Sequence, residues 1–271
     1  MKLIHCADLH LGSNLTTNLT AEQAQKRNYE LIENFERMIQ YGINEQVHVI
    51  LLSGDVFDTA QPPMWVATAC LELFQRYSEL EFFYLRGNHD RHLWEKEKKE
   101  GALPANLHMF DRDWVSYVCD DIVITGVECK GDSLYEQAKT LDLEEGQLNI
   151  VMLHGAITEN HAITTEDVVP IELFRNRNID YLALGHIHSF FEGYLDQRGR
   201  YCYSGCLEGR GFDECGQKGF VLLDLKESQI TTSFIPWGKR KLYEIEVPVD
   251  GCMTTLEIAR KIDGILKDSK V

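Results

Sequence analysis

Short apolar runs, each followed by a small polar cluster, recur five times along the chain. The runs span residues 2–6, 47–52, 82–85, 150–153 and 181–184, and their composition predicts buried β-strands. Each following cluster contains Asp, His or Asn close to a glycine. Because ligands of open α/β sheets lie outside the carboxyl ends of the strands, the five clusters are expected to meet at one rim of a sheet.

Helical periodicity separates several of these strands. Residues 21–41 carry apolar side chains three or four positions apart, which predicts an amphipathic helix that Thr20 is placed to cap. A second helix is predicted from Pro63 to about residue 77, since a proline in the first turn costs no hydrogen bond. The alternation of strands and helices predicts a layered α/β fold.

The pattern changes after residue 192. Residues 200–204, 218–225 and 229–236 are predicted to be successive strands joined by Gly, Asp and Ser turns. This arrangement favours a second, antiparallel sheet. Two sheets packed between helices would form a four-layer α/β/β/α sandwich.

The last residues are predicted to be a short appendage, over 241–271, to a main domain over 1–240. Alternation over 242–249 predicts a strand, and apolar positions on one face over 254–267 predict a helix. One strand and one helix are too little to fold alone. The segment is therefore expected to pack on the main domain or to begin a larger module.

Length and composition support this architecture. With 271 residues, of which 44% are hydrophobic, the chain can form one large core. The eight cysteines include no Cys-x-x-Cys pair and no signal peptide precedes the first strand, which predicts free thiols in a reducing cytoplasm. The longest aliphatic stretch, 49–52, is far shorter than the roughly 20 residues that cross a bilayer, so no membrane span is expected.

The formal net charge of −16 comes from 27 Lys and Arg residues against 43 Asp and Glu residues. Proteins that bind nucleic acid unaided usually carry a basic face. The short basic segments 175–177 and 239–241 are more typical of solvated surface. The composition therefore argues against tight binding of DNA by this chain alone.

The polar clusters contain the side chains that could hold a pair of divalent metal ions. Asp8 and His10 lie two residues apart, as do His186 and His188, so each pair is expected to project to one side of an extended chain. Carboxylates, imidazoles and an asparagine carbonyl, without thiolates, favour Mn²⁺, Fe²⁺ or Zn²⁺. A shared carboxylate, for which Asp55 is the natural candidate, would hold two ions about 3.5–4 Å apart for attack on phosphorus.

Other polar residues near these clusters are predicted to assist catalysis or to support the ligands. His89, next to the candidate ligand Asn88, is placed to protonate the leaving oxygen or to stabilise its charge. Asp58 is interpreted as a turn cap and Asp90 as a residue that orients a ligand, whereas His161 is a further candidate for contact with substrate. A single Asp-x-His or His-x-His is more often structural, but no folding requirement explains five such strand ends in succession.

In order and spacing, these clusters resemble the five motifs of the calcineurin-like metallophosphoesterases. They are Asp8-Leu9-His10-Leu11-Gly12, Gly54-Asp55-Val56-Phe57-Asp58, Gly87-Asn88-His89-Asp90, His154-Gly155 and Gly185-His186-Ile187-His188. Residues 8–12, 55–63 (DVFDTAQPP) and 204–206 followed by 212–216 are most similar to the SbcD-type DNA repair nucleases. The resemblance covers about residues 1–240 and implies the four-layer sandwich of this superfamily.

The resemblance also implies roles for individual residues. It implies that one Mn²⁺ is bound by Asp8, His10, Asp55 and His188, and the other by Asp55, Asn88, His154 and His186. His89 matches a histidine that assists catalysis. The family cleaves DNA phosphodiesters as a metal-dependent exonuclease and endonuclease, usually as a dimer that works with an SbcC-type coiled-coil ATPase.

Two other functions remain open. A phosphodiesterase or phosphatase for nucleotides or other small molecules would use the same site and would fit the acidic charge better. A catalytically silent interaction module could reuse the fold, but such a scaffold has no need of the complete ligand set or of His89.

Overall fold

The computed structural model describes residues 1–15, 19–129, 134–160, 167–226 and 229–268. His161 therefore lies outside the described residues. The described ranges form two six-stranded sheets, one two-stranded sheet, five α-helices and a short 3-10 helix over Ile171–Leu173.

The first sheet joins strands from both ends of the described chain. In spatial order it contains β14 (Gln229–Pro236), β13 (Gly219–Lys226), β1 (Lys2–Cys6), β2 (Val47–Ser53), β3 (Glu81–Leu85) and β4 (Leu107–Met109). Strands β1 to β4 are parallel, whereas β13 is antiparallel to both β1 and β14.

The second sheet has antiparallel strands at both edges. In spatial order it contains β11 (Phe191–Tyr194), β12 (Arg200–Tyr203), β10 (Tyr181–Gly185), β7 (Leu148–His154), β6 (Ile122–Gly126) and β5 (Val115–Cys119). Its four inner strands are parallel. The two-stranded sheet pairs β8 (Ala156–Thr158) with β9 (Val168–Pro170).

The described residues include five α-helices. They are α1 (Ala21–Asn44), α2 (Met64–Arg76), α3 (Glu95–Glu100), α4 (Leu134–Lys139) and α5 (Thr255–Asp268). Thr20 and Gln23 form a reciprocal capping box at the start of α1, which confirms the predicted cap. Pro63 immediately precedes α2, as its position in the sequence predicts.

Three apolar clusters make the fold four layers deep. Alternate residues of a strand face different clusters: Leu3 packs between the two sheets, whereas Ile4 packs beneath α1 and α2. A third cluster lies on the outer face of the second sheet, where Leu182 packs near Phe174. Because both faces of the central strands are buried, their sequences are nearly continuous apolar runs. The predicted α/β/β/α sandwich is confirmed.

The prediction that the strands after residue 192 form their own sheet is wrong. Strand β12 lies parallel to β10 in the second sheet, whereas the β13–β14 hairpin extends the first sheet beside β1. Local alternation identified the strands and their hairpin. Their partners depend on register with β1 and β10, which are distant in sequence.

The predicted appendage is only partly correct. Helix α5 forms, but residues 243–249 have no regular structure, and Leu242 makes only an isolated bridge to Gly216. An alternating pattern becomes a strand only when a neighbouring strand satisfies its hydrogen bonds, and none of the described strands does so here. The boundary at residue 240 stays a prediction.

The composition predicted free cysteines and no membrane span. None of the eight cysteines forms a disulfide bond in the structure. Among the described helices, none has the length and apolar character needed to cross a membrane.

Candidate metal centre

The five polar clusters meet at a rim that the two large sheets share. Strands β1, β2 and β3 of the first sheet bring Asp8, Asp55 and Asn88 to this rim, and β7 and β10 of the second sheet bring His154 and His186. The convergence of the clusters is as predicted, but a single sheet was expected. The two sheets pack face to face, so the carboxyl ends of their central strands open on the same side.

Apart from His154, which is the last residue of β7, the aspartates and histidines of the rim lie beyond the strand ends. Asp8, His10, Asp55 and His186 have positive φ angles of 54°, 45°, 51° and 94°. Such angles are costly for residues other than glycine and concentrate at functional sites. The expectation that Asp8 and His10 share one side of an extended strand is therefore wrong. Backbone hydrogen bonds from Asp8 N to Gly54 O (3.0 Å) and from His10 N to Asp55 O (2.9 Å) hold the turns instead.

Two glycines of the motifs are required because side chains approach their α-carbons closely. A β-carbon on Gly54, whose φ is +94°, would lie 2.1 Å from His154 Nδ1. A β-carbon on Gly87 would lie 2.2 Å from Asp55 Oδ1. Any larger residue would displace one of these two candidate ligands.

Asp8, His10 and His188 form what we call the first ligand group. One ligand atom from each lies within 4.8 Å of the others. The Nε2 atoms of His10 and His188 are 3.2 Å apart, and His188 Nε2 is 3.8 Å from Asp8 Oδ1. These atoms therefore face one small space that is suited to a cation.

Asp8, Asp55 and His154 form the second ligand group, in which one ligand atom from each residue again lies within 4.8 Å of the others. Asp55 Oδ2 is 3.2 Å from His154 Nε2 and 3.8 Å from His10 Nε2, so it lies between the two groups. Asn88 Oδ1 is 3.0 Å from the same His154 nitrogen. Asp8 belongs to both groups and is thus a second carboxylate that could be shared.

His186 lies beside the second ligand group without joining either group of described residues. Its ring is edge-on to His154 with centroids 5.4 Å apart, and its Nε2 is 3.4 Å from Asp167 Oδ2. Its backbone N–H donates to the Asp8 carboxylate, 3.1 Å from each oxygen. Its role as a ligand stays a prediction.

His89 and its neighbour Asn88 are exposed, whereas the other described candidate residues are buried or half-buried. The His89 side chain is 43% exposed, and its ring lies edge-on to His10 with centroids 4.8 Å apart. Its Nδ1 is 2.9 Å from the backbone oxygen of Asp58, and its own backbone N–H donates to Asp55 Oδ1 at 2.9 Å. This leaves Nε2 as the nitrogen available to a substrate.

The buried carboxylates of Asp8 and Asp55 lie close together, so a positive charge is needed beside them. Burial raises the pKa of Asp8. Burial also acts to raise the pKa of Asp55, but attraction to His154 outweighs it and leaves this pKa well below its usual range. Although burial alone would lower the pKa of His154, Asp55 and Asp8 raise it to about 9. A proton on His154 therefore supplies the positive charge in the metal-free chain.

The outer nitrogens of three histidines are fixed by neighbours. His10 Nδ1 is 3.0 Å from Asp58 Oδ1, and His188 Nδ1 is 2.6 Å from Glu214 Oε1. His154 Nδ1 instead lies 2.9 Å from the carbonyl oxygen of Ser53. Contacts of this kind fix the ring and direct Nε2 towards a metal.

Sequence reasoning missed part of this support. Asp58 does not merely cap a turn, because its carboxylate also binds the Arg210 guanidinium at 2.8 Å. Glu214 and Arg210 were not identified as site residues. Glu214 lies in segment 212–216, whose similarity to the SbcD-type nucleases was its only signal, and Arg210 lies outside the similar segments. The buried carboxylate of Asp90 accepts from Gly87 N at 2.7 Å and Val56 N at 2.9 Å, which fixes the backbone beside Asn88 and Asp55, and its predicted role in orienting a ligand stays a prediction.

The donor set suits divalent ions. Buried carboxylates and imidazole nitrogens converge in both ligand groups, and neither group contains a thiolate. A four-layer sandwich that carries such groups at its shared rim defines the class of dimetal phosphoesterases. Two solved structures have the same fold: a dimetal phosphatase from Danio rerio (TM-score 0.56, 9% identical, covering 86% of this chain and 98% of that one) and the inner membrane complex anchor GAP50 of Plasmodium (TM-score 0.55, 14% identical, covering 97% and 94%).

The chain belongs to the calcineurin-like phosphoesterase family, whose model matches residues 1–190. Curated relatives include a DNA double-strand break repair protein Mre11 of Sulfolobus acidocaldarius, 25% identical over all of this chain and 72% of the relative. The SbcD component of the SbcCD nuclease of Staphylococcus epidermidis is 25% identical over 91% of this chain and 72% of its own length. The metallophosphoesterase YhaO of Bacillus subtilis is 27% identical over 86% and 60%. The chain is thus a hydrolase of a dimetal-dependent family.

Proposed function

We propose that the chain is a two-metal-dependent DNA phosphodiesterase, an exonuclease and endonuclease of the SbcD type. The observation that carries this proposal is the pair of ligand groups connected through Asp8 and Asp55 at the shared rim. Similarity to the Mre11 and SbcCD relatives supports DNA as the substrate class.

The proposed ligands are those that the resemblance implies. Asp8, His10, Asp55 and His188 would hold one ion, and Asp55, Asn88, His154 and His186 the other. Mn²⁺ is the proposed metal, with Fe²⁺ and Zn²⁺ as alternatives for the same donors. Bound ions of this kind neutralise charge on the phosphoryl oxygens and lower the pKa of the attacking water.

His89 is proposed to donate a proton to the leaving oxygen. Its Nδ1 is held by the Asp58 carbonyl, so its Nε2 faces outward and can meet a substrate. General acid assistance of this kind contributes about 10²–10⁴ in rate.

The proposed partners follow from the same relatives. DNA is the proposed substrate, an SbcC-type ATPase is a proposed partner by analogy with the SbcCD relative, and a second copy of this chain is proposed from the resemblance of the motifs. Free thiols at the cysteines are compatible with the reducing cytoplasm, which we propose as the compartment.

A phosphodiesterase for small phosphorylated molecules is the second candidate, favoured by the net charge of −16. The two functions separate in one assay. Labelled single- and double-stranded DNA, cyclic nucleotides and an aryl phosphate are each incubated with the chain and Mn²⁺. We expect metal-dependent cleavage of DNA, and cleavage of the small substrates alone would contradict the proposal.

A salt series extends this assay. An acidic chain gains little long-range attraction for DNA, so binding must depend on local contacts, and cleavage is expected to fall steeply with salt. Addition of an SbcC-type ATPase should improve it. Salt-independent, nanomolar binding of DNA by the chain alone would contradict this view.

A further inference from the structure

Arg210 joins the two carboxylates that contact the histidines of the first ligand group. Its Nη1 donates to Asp58 Oδ1 at 2.8 Å and its Nη2 to Glu214 Oε1 at 2.8 Å. The same Asp58 oxygen lies 3.0 Å from His10 Nδ1, and the same Glu214 oxygen lies 2.6 Å from His188 Nδ1. An unbroken chain of polar contacts therefore links the outer edges of the two imidazoles.

The guanidinium is itself held in place. Its Nη1 also donates to Ser13 Oγ at 3.0 Å, and Ser13 in turn donates to the backbone oxygen of His10 at 2.7 Å. The backbone N–H of Arg210 donates to the second oxygen of Glu214 at 2.7 Å. With a side chain only 17% exposed, Arg210 has little freedom to leave this arrangement.

The charges of this network depend on the arginine. Burial alone would raise the pKa of Glu214, but His188 and Arg210 hold it well below its usual range. Without Arg210, the carboxylates of Asp58 and Glu214 would lose their common cation. Each would then be free to rotate away from its histidine.

We propose that Arg210 is a positioning residue that holds the imidazoles of His10 and His188 in one fixed relative orientation through Asp58 and Glu214. A planar guanidinium can bridge two carboxylates at once, which a lysine ammonium on a flexible stem does poorly. The consequence is a preorganised first ligand group. The proposal rests on the proposed function only in that this group binds a divalent ion.

The second ligand group offers an internal reference. His154 is supported by the carbonyl of Ser53, and none of the contacts described for Arg210 reaches it. Loss of the arginine is therefore expected to weaken one ion and spare the other. A role in general stability alone would not produce this difference.

The test is calorimetric titration of the full chain with Mn²⁺. Arg210→Gln should bind one ion about 10–100-fold more weakly than the parent, which is typical when an outer partner of a metal ligand is lost, and the other ion with unchanged affinity. Arg210→Lys should recover only part of the loss. Arg198→Gln is the matched control, because Arg198 also pairs with a carboxylate, Asp180 at 2.8 Å, but lies away from both groups.

A double variant decides whether Arg210 acts through Glu214. If it does, Arg210→Gln combined with Glu214→Gln should lose less Mn²⁺ affinity than the sum of the two single losses. Strictly additive losses, or parental affinity for both ions in Arg210→Gln, would overturn the proposal. If Arg210→Gln does not fold, Arg210→Lys and Glu214→Gln make the same comparison.

The outcomes separate this proposal from the proposed function. A parent that binds two ions while Arg210→Gln binds them equally well overturns the positioning role alone. A parent that binds no Mn²⁺ overturns both. Failure to cleave DNA, with the affinity difference intact, overturns only the choice of substrate.

Discussion

The two ligand groups differ in what supports their histidines. Those of the first group, His10 and His188, are backed by carboxylates that share Arg210, whereas His154 of the second group is backed by a neutral backbone carbonyl. A carboxylate partner makes an imidazole a stronger donor and fixes its orientation. The first group is thus organised by side chains, and the second by backbone and by its own buried aspartates.

This difference also determines where the metal-free chain keeps its proton. The outer nitrogen of His154, Nδ1, contacts a backbone carbonyl and not a carboxylate. Asp55 lies 3.2 Å from the other nitrogen, Nε2, so the proton is held on the side where an ion would bind. In the first group the supporting carboxylates contact Nδ1 of each histidine, so the negative charge lies on the side away from the ion site. Burial lowers the pKa of His10, whereas the hydrogen bond to Glu214 raises that of His188.

The largest effect is expected where the two groups meet. Asp55→Asn should weaken both ions and reduce turnover by more than the 10²–10⁴ attributed to a general acid, because it removes the charge between the groups. His10→Ala should chiefly weaken one ion. Elemental analysis of the purified variants measures this. The bridging assignment fails if Asp8→Asn loses both ions and Asp55→Asn only one.

His89→Asn should have the next largest effect. It should slow only the chemical step of the reaction. We expect both ions and substrate affinity to be retained while turnover falls by roughly 10²–10⁴. Its neighbour is the control, since Asn88→Ala should lose metal and activity together. Metal content measured alongside kcat and KM checks the contrast, and a metal-depleted His89→Asn would contradict it.

Gly87→Ala tests the close packing around Asp55. The added β-carbon would meet Asp55 Oδ1 at 2.2 Å, so the carboxylate must shift, and we expect a loss of about 1–3 kcal/mol in unfolding free energy with weaker Mn²⁺ binding. Gly146→Ala is the control, because no atom lies within 4 Å of its β-carbon. Thermal unfolding with and without Mn²⁺ measures both, and equal behaviour of the two variants would refute the steric argument.

The smallest expected effect is on the number of protons released when Mn²⁺ binds. Because the pKa of His154 is raised to about 9, the metal-free chain holds this proton at pH 7.5, and Mn²⁺ must displace it. Affinity should therefore rise with pH up to about 9 and then level off. The same proton stabilises the metal-free fold fully below the unfolded pKa of 6.5, and this contribution is lost as pH rises through about 9.

Calorimetry in buffers of different ionisation enthalpy counts the released protons. The parent should release about one more proton per chain than His154→Gln at pH 7.5. Identical proton release by the two chains would show that the proton lies elsewhere.

Much of the fold was predictable because its signals are local. Strands β1, β2, β3, β7 and β10 follow from apolar runs, and the start of α1 follows from Thr20 and Gln23, which cap it within one turn. The predicted strand over 242–249 failed for the converse reason. Its alternation is local, but a strand also needs a partner, and the described strands offer none.

The amino-acid sequence specifies the donor types of the candidate site, their order after successive strands, and the glycines that make room for them. How these residues combine depends on the packing of the two sheets. His10 and His188 are 178 residues apart, yet their Nε2 atoms lie 3.2 Å from each other because two different sheets pack face to face. The same packing brings Arg210 between Asp58 and Glu214 and leaves His186 facing Asp167. Side-chain type and spacing act over a few residues, whereas such contacts depend on sheet register and packing, which no local pattern encodes.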